Sequence, residues 1–262
     1  MTANSCNRPS CAAGQNQNQA QRPRIIYQDD KKESLPERLE ATFLTSAPDL
    51  KRCPPGFGAE VAFAGRSNAG KSSVLNQISG NKRTAKVSKT PGRTQLLNFF
   101  DIRTGGRIVD LPGYGYAKAG KAAQRTWQKS VNHYLSYRNH LAGIILVMDI
   151  RHPNQAFDLE MLEWSTKSDI PIHILLNKAD KLSGGAQKQI LQKIRSSYSD
   201  YPHATVQCFS AMRGLGKEEL ITKLLELLAT PIEGDEIGAL DELDENPEHR
   251  MEDLPNEAQE EI

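Results

Sequence analysis

Long apolar runs are missing from these 262 residues. Nowhere do about 18 apolar residues follow one another, so no segment is suited to span a membrane as a helix. The first residues are polar and lack the apolar core of a secretory leader, so export is not expected and a cytoplasmic location is. Cysteine is scarce. Cys6, Cys11, Cys53 and Cys208 form neither a zinc knuckle nor a CxxC pair, which points to reduced thiols in a reducing compartment. His133, His140 and His152 show no metal-ligand spacing, and no internal repeat is visible. Acidic residues are almost absent from 61–140, where 14 Lys/Arg face only Asp101 and Asp110.

What is present fits one soluble domain with appendages: 38% of residues are hydrophobic and 25% charged. The formal net charge of +1 hides an asymmetry. Residues 232–262 hold 13 Asp/Glu and one Arg, a net of −12, which leaves +13 on the rest of the chain. A basic body of this kind suits a polyanionic partner such as nucleic acid.

Residues 1–33 are rich in Asn, Gln, Ser and Pro, and bury too little to offset ordering entropy. They read as a disordered polar arm. Residues 34–58 carry the anchors Leu35, Leu39, Phe43 and Leu44 and end at Pro54-Pro55-Gly56, as an extension packed on the main domain. Residues 59–231 alternate apolar runs with amphipathic stretches. The runs are Val61–Ala64, Leu97–Ile102, Arg107–Val109, Ile144–Ile150, Ile172–Leu176 and Val206–Phe209. Helices are expected near 71–79, 121–138, 155–168, 186–199 and 216–229. This alternation predicts an α/β fold whose mostly parallel, six-stranded sheet is covered on both faces. From Ile232 the chain is acidic and aromatic-free and reads as a disordered tail.

Gly65, Arg66, Ser67, Asn68, Ala69, Gly70, Lys71 and Ser72 fit GxxxxGK[ST], after an apolar run and before the helix-like Ser73–Ile78. A chain of this length shows the pattern by chance about once in a hundred. The two glycines let the backbone curl with its N–H groups inward, and the helix N-terminus adds a field favourable to phosphate. Lys71 places a charge on the β/γ-phosphates, and the Ser72 hydroxyl is a Mg²⁺ ligand.

That loop leaves ATP and GTP open. Asn177, Lys178, Ala179 and Asp180 follow the apolar Ile172–Leu176 and match NKxD. The Asp180 carboxylate can accept hydrogen bonds from guanine N1–H and its exocyclic amine. Adenine lacks that donor pair and would leave the carboxylate unpaired. Asn177 would tie the base loop to the phosphate loop. Phe209, Ser210 and Ala211 follow the last run, with backbone for the guanine O6 and Ser210 supporting the base loop. Asp110, Leu111, Pro112 and Gly113 match DxxG: Asp110 would reach Mg²⁺ through water, and Gly113 N–H would sense the γ-phosphate. Thr94, just before the Leu97–Ile102 run, is the switch threonine preferred over Thr90. Four elements in this order indicate a GTPase rather than an ATP-using kinase, for which no lid arginines are present.

The strings Thr90-Pro91-Gly92-Arg93-Thr94-Gln95 with Asn98-Phe99-Phe100, and Asp110-Leu111-Pro112-Gly113-Tyr114-Gly115-Tyr116-Ala117, together with the phosphate loop, resemble the EngB family of bacterial Ras-like GTPases. The resemblance spans roughly 41–230, including Ser46-Ala47-Pro48-Asp49-Leu50 before the first strand of the main domain. It implies a three-layer P-loop domain that cycles between GTP and GDP with Mg²⁺. Lys71, Thr94 and Gly113 would be catalytic, Gly92, Arg93, Thr94, Gln95 and Leu96 would form the first switch, and Ser72 and Thr94 would be the Mg²⁺ ligands. It implies work in assembly of the large ribosomal subunit, on that subunit or its rRNA or protein precursors, linked to division and septation; nothing in the sequence suggests an obligate oligomer, so a monomer is expected. The alternative is a switch that binds division proteins directly.

Tyr114 stands where many Ras-like enzymes place a water-orienting Gln, so slow intrinsic hydrolysis is expected. For Tyr114 and Tyr116, packing or base stacking in the switch stands evenly beside a direct catalytic role. Asn68 is a candidate for holding K⁺ beside the phosphates. Arg66, Arg93, Lys118, Lys121, Arg125 and Lys129 are candidate rRNA contacts, and Trp127 and Tyr134 read as core.

Overall fold

The computed structural model describes residues 35–80, 96–114 and 121–232, the side chains of 121–128 excepted. Seven strands make one sheet: β1 (Ala41–Ala47), β2 (Glu60–Gly65), β3 (Leu97–Ile102), β4 (Arg107–Asp110), β5 (Leu141–Asp149), β6 (Ile172–Asn177) and β7 (Ala204–Cys208). Their order is β1-β3-β4-β2-β5-β6-β7. The pairs from β4 to β7 are parallel, while β3 runs antiparallel to both neighbours, β1 and β4.

Every residue of β2 is buried, as a parallel strand covered on both sides requires. Its alternation sorts the two layers. Ala62 and Ala64 join a cluster with Val131 and Tyr134 of α2 (Lys121–Tyr137), Met161 and Leu162 of α3 (Ala156–Lys167) and Ile194 of α4 (Gly184–Ser197). Val61 and Phe63 face Val74 and Ile78 of α1 (Lys71–Ser79) and Leu220 and Leu224 of α5 (Lys217–Leu228). The result is a three-layer α/β architecture with helices on both faces of the sheet. Among the described residues, no helix is long and apolar enough to cross a membrane.

The sheet has one strand more than the six expected. The addition is β1, inside the segment read as a packed extension. Its register sets Ser46 opposite Asn98 and Ala47 opposite Leu97, with a bulge between Phe43 and Thr45. Three expected anchors point outward: Leu35 is 53% exposed, Phe43 53% and Leu44 40%. The fourth anchor, Leu39, is buried, as is Ala47, and Leu39 N–H bonds the Ile78 carbonyl at 2.9 Å. An edge strand needs only one covered face, and a bulge limits further pairing along its open side. Tyr134 is buried as expected, its hydroxyl donating to buried Glu60 at 2.9 Å. The Trp127 side chain, the arm 1–33 and the tail beyond Ile232 lie outside the described residues.

Candidate functional site

The phosphate loop joins the carboxyl end of β2 to α1. Gly70 precedes the helix at φ +101°, and no side chain caps the first turn. Its N–H groups are therefore available to an anion. A Cβ on Gly70 would lie 2.4 Å from Asn177 Nδ2, so glycine is required both by conformation and by space. At Gly65 a Cβ would come within 2.4 Å of the Val147 carbonyl oxygen of the neighbouring strand. Asn68 sits at φ +68°, a conformation Asn tolerates.

The residues expected to read the base come from the ends of β6 and β7. Asn177, 1% exposed, donates Nδ2 to the Ala69 carbonyl at 2.9 Å. Its Oδ1 receives Ala211 N–H at 3.4 Å. Lys178 Nζ reaches over the loop to the Asn68 carbonyl at 2.6 Å and to Asp149 Oδ2 at 3.0 Å. Ser210 donates Oγ–H to Asp180 Oδ1 at 2.6 Å, and Lys181 Nζ lies 3.4 Å from Oδ2. The Ser210 hydroxyl, with help from Lys181, holds the Asp180 carboxyl below its usual range, so it stands ionised. A carboxylate offers about four acceptor sites, so these partners leave room for two further donors. Backbone bonds from Ala179 N to Phe209 O at 3.0 Å and Phe209 N to Leu176 O at 2.9 Å fix the two loops together.

A buried polar chain supports this end from below. His173 faces Thr205 Oγ1 at 2.7 Å and Gln207 Oε1 at 2.8 Å. Gln207 Nε2 donates to the Gly216 carbonyl at 2.8 Å. Burial pushes the His173 imidazole down to about 4, so the neutral ring gives Nε2–H to Gln207 and takes the Thr205 proton at Nδ1.

The DxxG segment, expected to be the second switch, begins where β4 ends. Lys71 Nζ is 4.0 Å from Asp110 Oδ1. That oxygen is buried and has no hydrogen-bond partner among the described residues. Burial pushes the Asp110 carboxyl up, against the lowering pull of Lys71 and a hydrogen bond from Asn98. A Cβ on Gly113 would lie 3.2 Å from Ser67 Cα and 3.3 Å from Lys71 Nζ, so the DxxG turn rests directly against the phosphate loop. Ser67 N–H bonds the Tyr114 carbonyl at 2.7 Å. The Tyr114 ring is buried, stacks on Phe157 with centroids 3.9 Å apart, and gives its hydroxyl to Asp158 at the start of α3. Tyr114 is thus a packing residue here, of the two readings the sequence allowed.

Gly65 to Ser72, Asp110 to Gly113, Asn177 to Asp180 and Phe209 to Ala211 all meet at the carboxyl edge of the sheet, where open α/β sheets place ligands. Leu96 is described and half-buried, but Gly92, Arg93, Thr94 and Gln95 lie outside the described residues, as does Tyr116. Of the candidate RNA contacts, Arg66 and Lys129 are exposed, and the other side chains are not described. Sequence reading missed Asp149, which fixes Lys178, and Asn98, which the register sets opposite Asp110. Asp149 did carry a signal: it is a lone charge within the apolar run Ile144–Ile150.

Comparison with known proteins agrees with this geometry. A family model described as 50S ribosome-binding GTPase matches residues 60–178. A probable GTP-binding protein EngB of Hydrogenovibrio crunogenus is 51% identical over 188 residues, covering 71% of this chain and 89% of the relative. Another from Coxiella burnetii is 50% identical over 189 residues, 72% of this chain and 92% of the relative. Among solved structures, a probable GTP-binding protein EngB superposes with TM-score 0.54 at 23% identity, over 65% of this chain and 98% of that one. Era in complex with MgGDPNP and a 16S ribosomal RNA segment superposes with TM-score 0.51 at 24% identity, over 66% of this chain and 57% of that one. These two share the fold. At half identity over nearly nine-tenths of a relative's length, with the phosphate loop and NKAD segment joined by hydrogen bonds at one sheet edge, the chain belongs to the EngB family of GTP-binding proteins and is a GTPase.

Proposed function

We propose that this GTPase is a Mg²⁺-dependent switch in assembly of the large ribosomal subunit, working in the cytoplasm as a monomer. The observation that carries the switch is the contact of the DxxG turn with the phosphate loop at Ser67 and Lys71. Residues Gly65 to Ser72 hold the phosphates through backbone N–H groups, and Lys71 neutralises the β/γ charge. Asp180 selects guanine, with Asn177, Lys178, Ala179, Phe209, Ser210 and Ala211 forming its frame. Gly113 N–H meets the γ-phosphate, and hydrolysis removes that partner, so the segment through Tyr114 changes its hold on Ser67.

The donor set suits Mg²⁺. A buried carboxylate oxygen without a donor among the described residues, beside Lys71, fits a site completed by a hydrated cation. Ser72 and Thr94 would hold the ion, and Asp110 would reach it through water. The ion's chemistry is to bridge the phosphate oxygens and neutralise developing charge. Asn68, in the same loop, would hold K⁺; equal hydrolysis rates in K⁺ and Na⁺ would remove that assignment.

Support for the ribosomal partner comes from the 50S ribosome-binding description of the matching family model and from the basic 61–140 stretch. Tyr114, committed to Asp158, orients no water, so hydrolysis is slow until the partner supplies the missing group. Co-sedimentation with large-subunit precursors tests the reading. Binding with a nonhydrolysable GTP analogue and release with GDP is expected, together with faster hydrolysis on the particles. Equal turnover with and without particles, and no nucleotide-dependent binding, would reject it.

A further inference from the structure

We propose that Asp149 and Arg151 are positioning residues for Lys178, clamping its ammonium so that its methylene stem is set in advance as a face for the guanine ring. The inference rests on the reading of Asn177 to Asp180 as the base site. Asp149 ends β5 opposite Asn177, the last residue of β6, so the carboxylate stands beside the residue that opens the NKAD turn. Both its oxygens are occupied. Oδ1 accepts Arg151 N–H at 3.1 Å and Arg151 Nε–H at 3.0 Å. Oδ2 accepts Arg151 Nη2–H at 2.7 Å and Lys178 Nζ–H at 3.0 Å. A carboxylate has about four acceptor sites, so Asp149 has none left for a nucleotide, and its work is to orient.

Lys178 is caught at both ends. Its backbone sits at φ +65°, a conformation that a residue other than glycine keeps only where its surroundings impose it. Its ammonium is pinned between the Asn68 carbonyl at 2.6 Å and Asp149. The four-carbon stem therefore crosses from the end of β6 to the phosphate loop along one path. A free lysine carries much rotamer entropy. A partner that fixes its path beforehand removes that cost from nucleotide binding. Arg151 supplies three of the four donors to Asp149, and its fork meets the carboxylate in the bidentate manner that sets orientation as well as charge. The same hydrogen bonds hold the Asp149 carboxyl well below the usual range, so the clamp keeps its charge near neutrality.

The test is the equilibrium affinity of the full chain for GDP and for inosine diphosphate, whose ring lacks the exocyclic amine, beside a melting curve. Asp149→Ala should weaken GDP about tenfold and inosine diphosphate by the same factor, because a contact on the ring face does not read the base edge. Arg151→Ala, which leaves Asp149 its backbone donor and Lys178, should cost about threefold. In a Lys178→Ala background either change should cost less than about twofold, since its effect runs through the missing side chain. Should Asp149→Ala fail to fold, Arg151→Ala, a change at an exposed side chain, decides alone by the same measurements. Affinities at the wild-type level, a changed ratio between the two nucleotides, or losses that multiply in the double variant would overturn the clamp while leaving the base site as read. Wild-type GDP affinity in Lys178→Ala would instead remove Lys178 from the base site, and the clamp with it.

Discussion

The two ends of the proposed nucleotide site are finished to different degrees. At the base-reading end, Asn177, Asp180 and Ser210 are bonded to the phosphate loop or to each other, and Phe209 and Ala179 lock the two loops through backbone. Beneath them the His173–Gln207–Gly216 chain leaves no member without a partner. At the switch end, a buried oxygen of Asp110 has no hydrogen-bond partner among the described residues, and the turn that follows rests on the phosphate loop through Ser67 and Tyr114. The difference separates recognition from sensing. A base pocket that is organised beforehand spends little of its binding energy on ordering. A switch needs a group that the ligand itself completes, because only a differential contact can shift a population.

The contrast breaks most visibly at Asp180. Replacing it with Asn turns one guanine-facing acceptor into a donor and leaves a base N–H unpaired. GTP affinity should fall by roughly 10²–10⁴-fold without gain of ATP, at unchanged thermal stability. Equilibrium titration with labelled GTP and ATP, beside a melting curve, checks this. A loss below tenfold would mean that the base is read elsewhere.

The buried support predicts a pH signature at the same end. The His173 ring is held down to about 4 against an ordinary 6.5. Between those values the unfolded chain binds a proton that the folded chain refuses, so stability is present above about 6.5 and is lost as pH falls toward 4. The loss approaches about 3 kcal/mol. Urea unfolding at pH 7 and pH 4.5 should show this slope in the wild type and lose it in His173→Leu. Equal slopes would assign the acid sensitivity to other groups.

A smaller effect tests the switch end. Tyr114→Phe removes the hydroxyl from buried Asp158 and should cost about 1–2 kcal/mol of stability. Intrinsic GTP hydrolysis should stay unchanged, because the lost group faces α3 rather than the phosphates. A large fall in turnover at normal GTP affinity would restore a catalytic role to the phenol.

Much of this molecule was legible in one dimension. The phosphate loop, the DxxG turn and NKAD each need residue types at fixed short spacing, because one turn or one helix start builds the whole contact. β2, β5 and β6 were visible as apolar runs because parallel strands are buried on both faces. β1 was not: Ala41-Thr-Phe-Leu-Thr-Ser-Ala47 lies at an edge with a bulge, so its exposed Phe43 and Leu44 mimic anchors of a packed extension.

The sequence by itself therefore determined the fold class, the strand-ends that carry the site and the choice of guanine, since each is encoded within a few neighbouring residues. Only the tertiary structure decided which distant groups meet. It joined Ser46 to Asn98 across 52 positions, Lys178 to Asp149 across 29 and Tyr114 to Asp158 across 44. Those meetings depend on sheet register and helix packing, and a hydrogen bond formed across a fold leaves no periodicity in the chain.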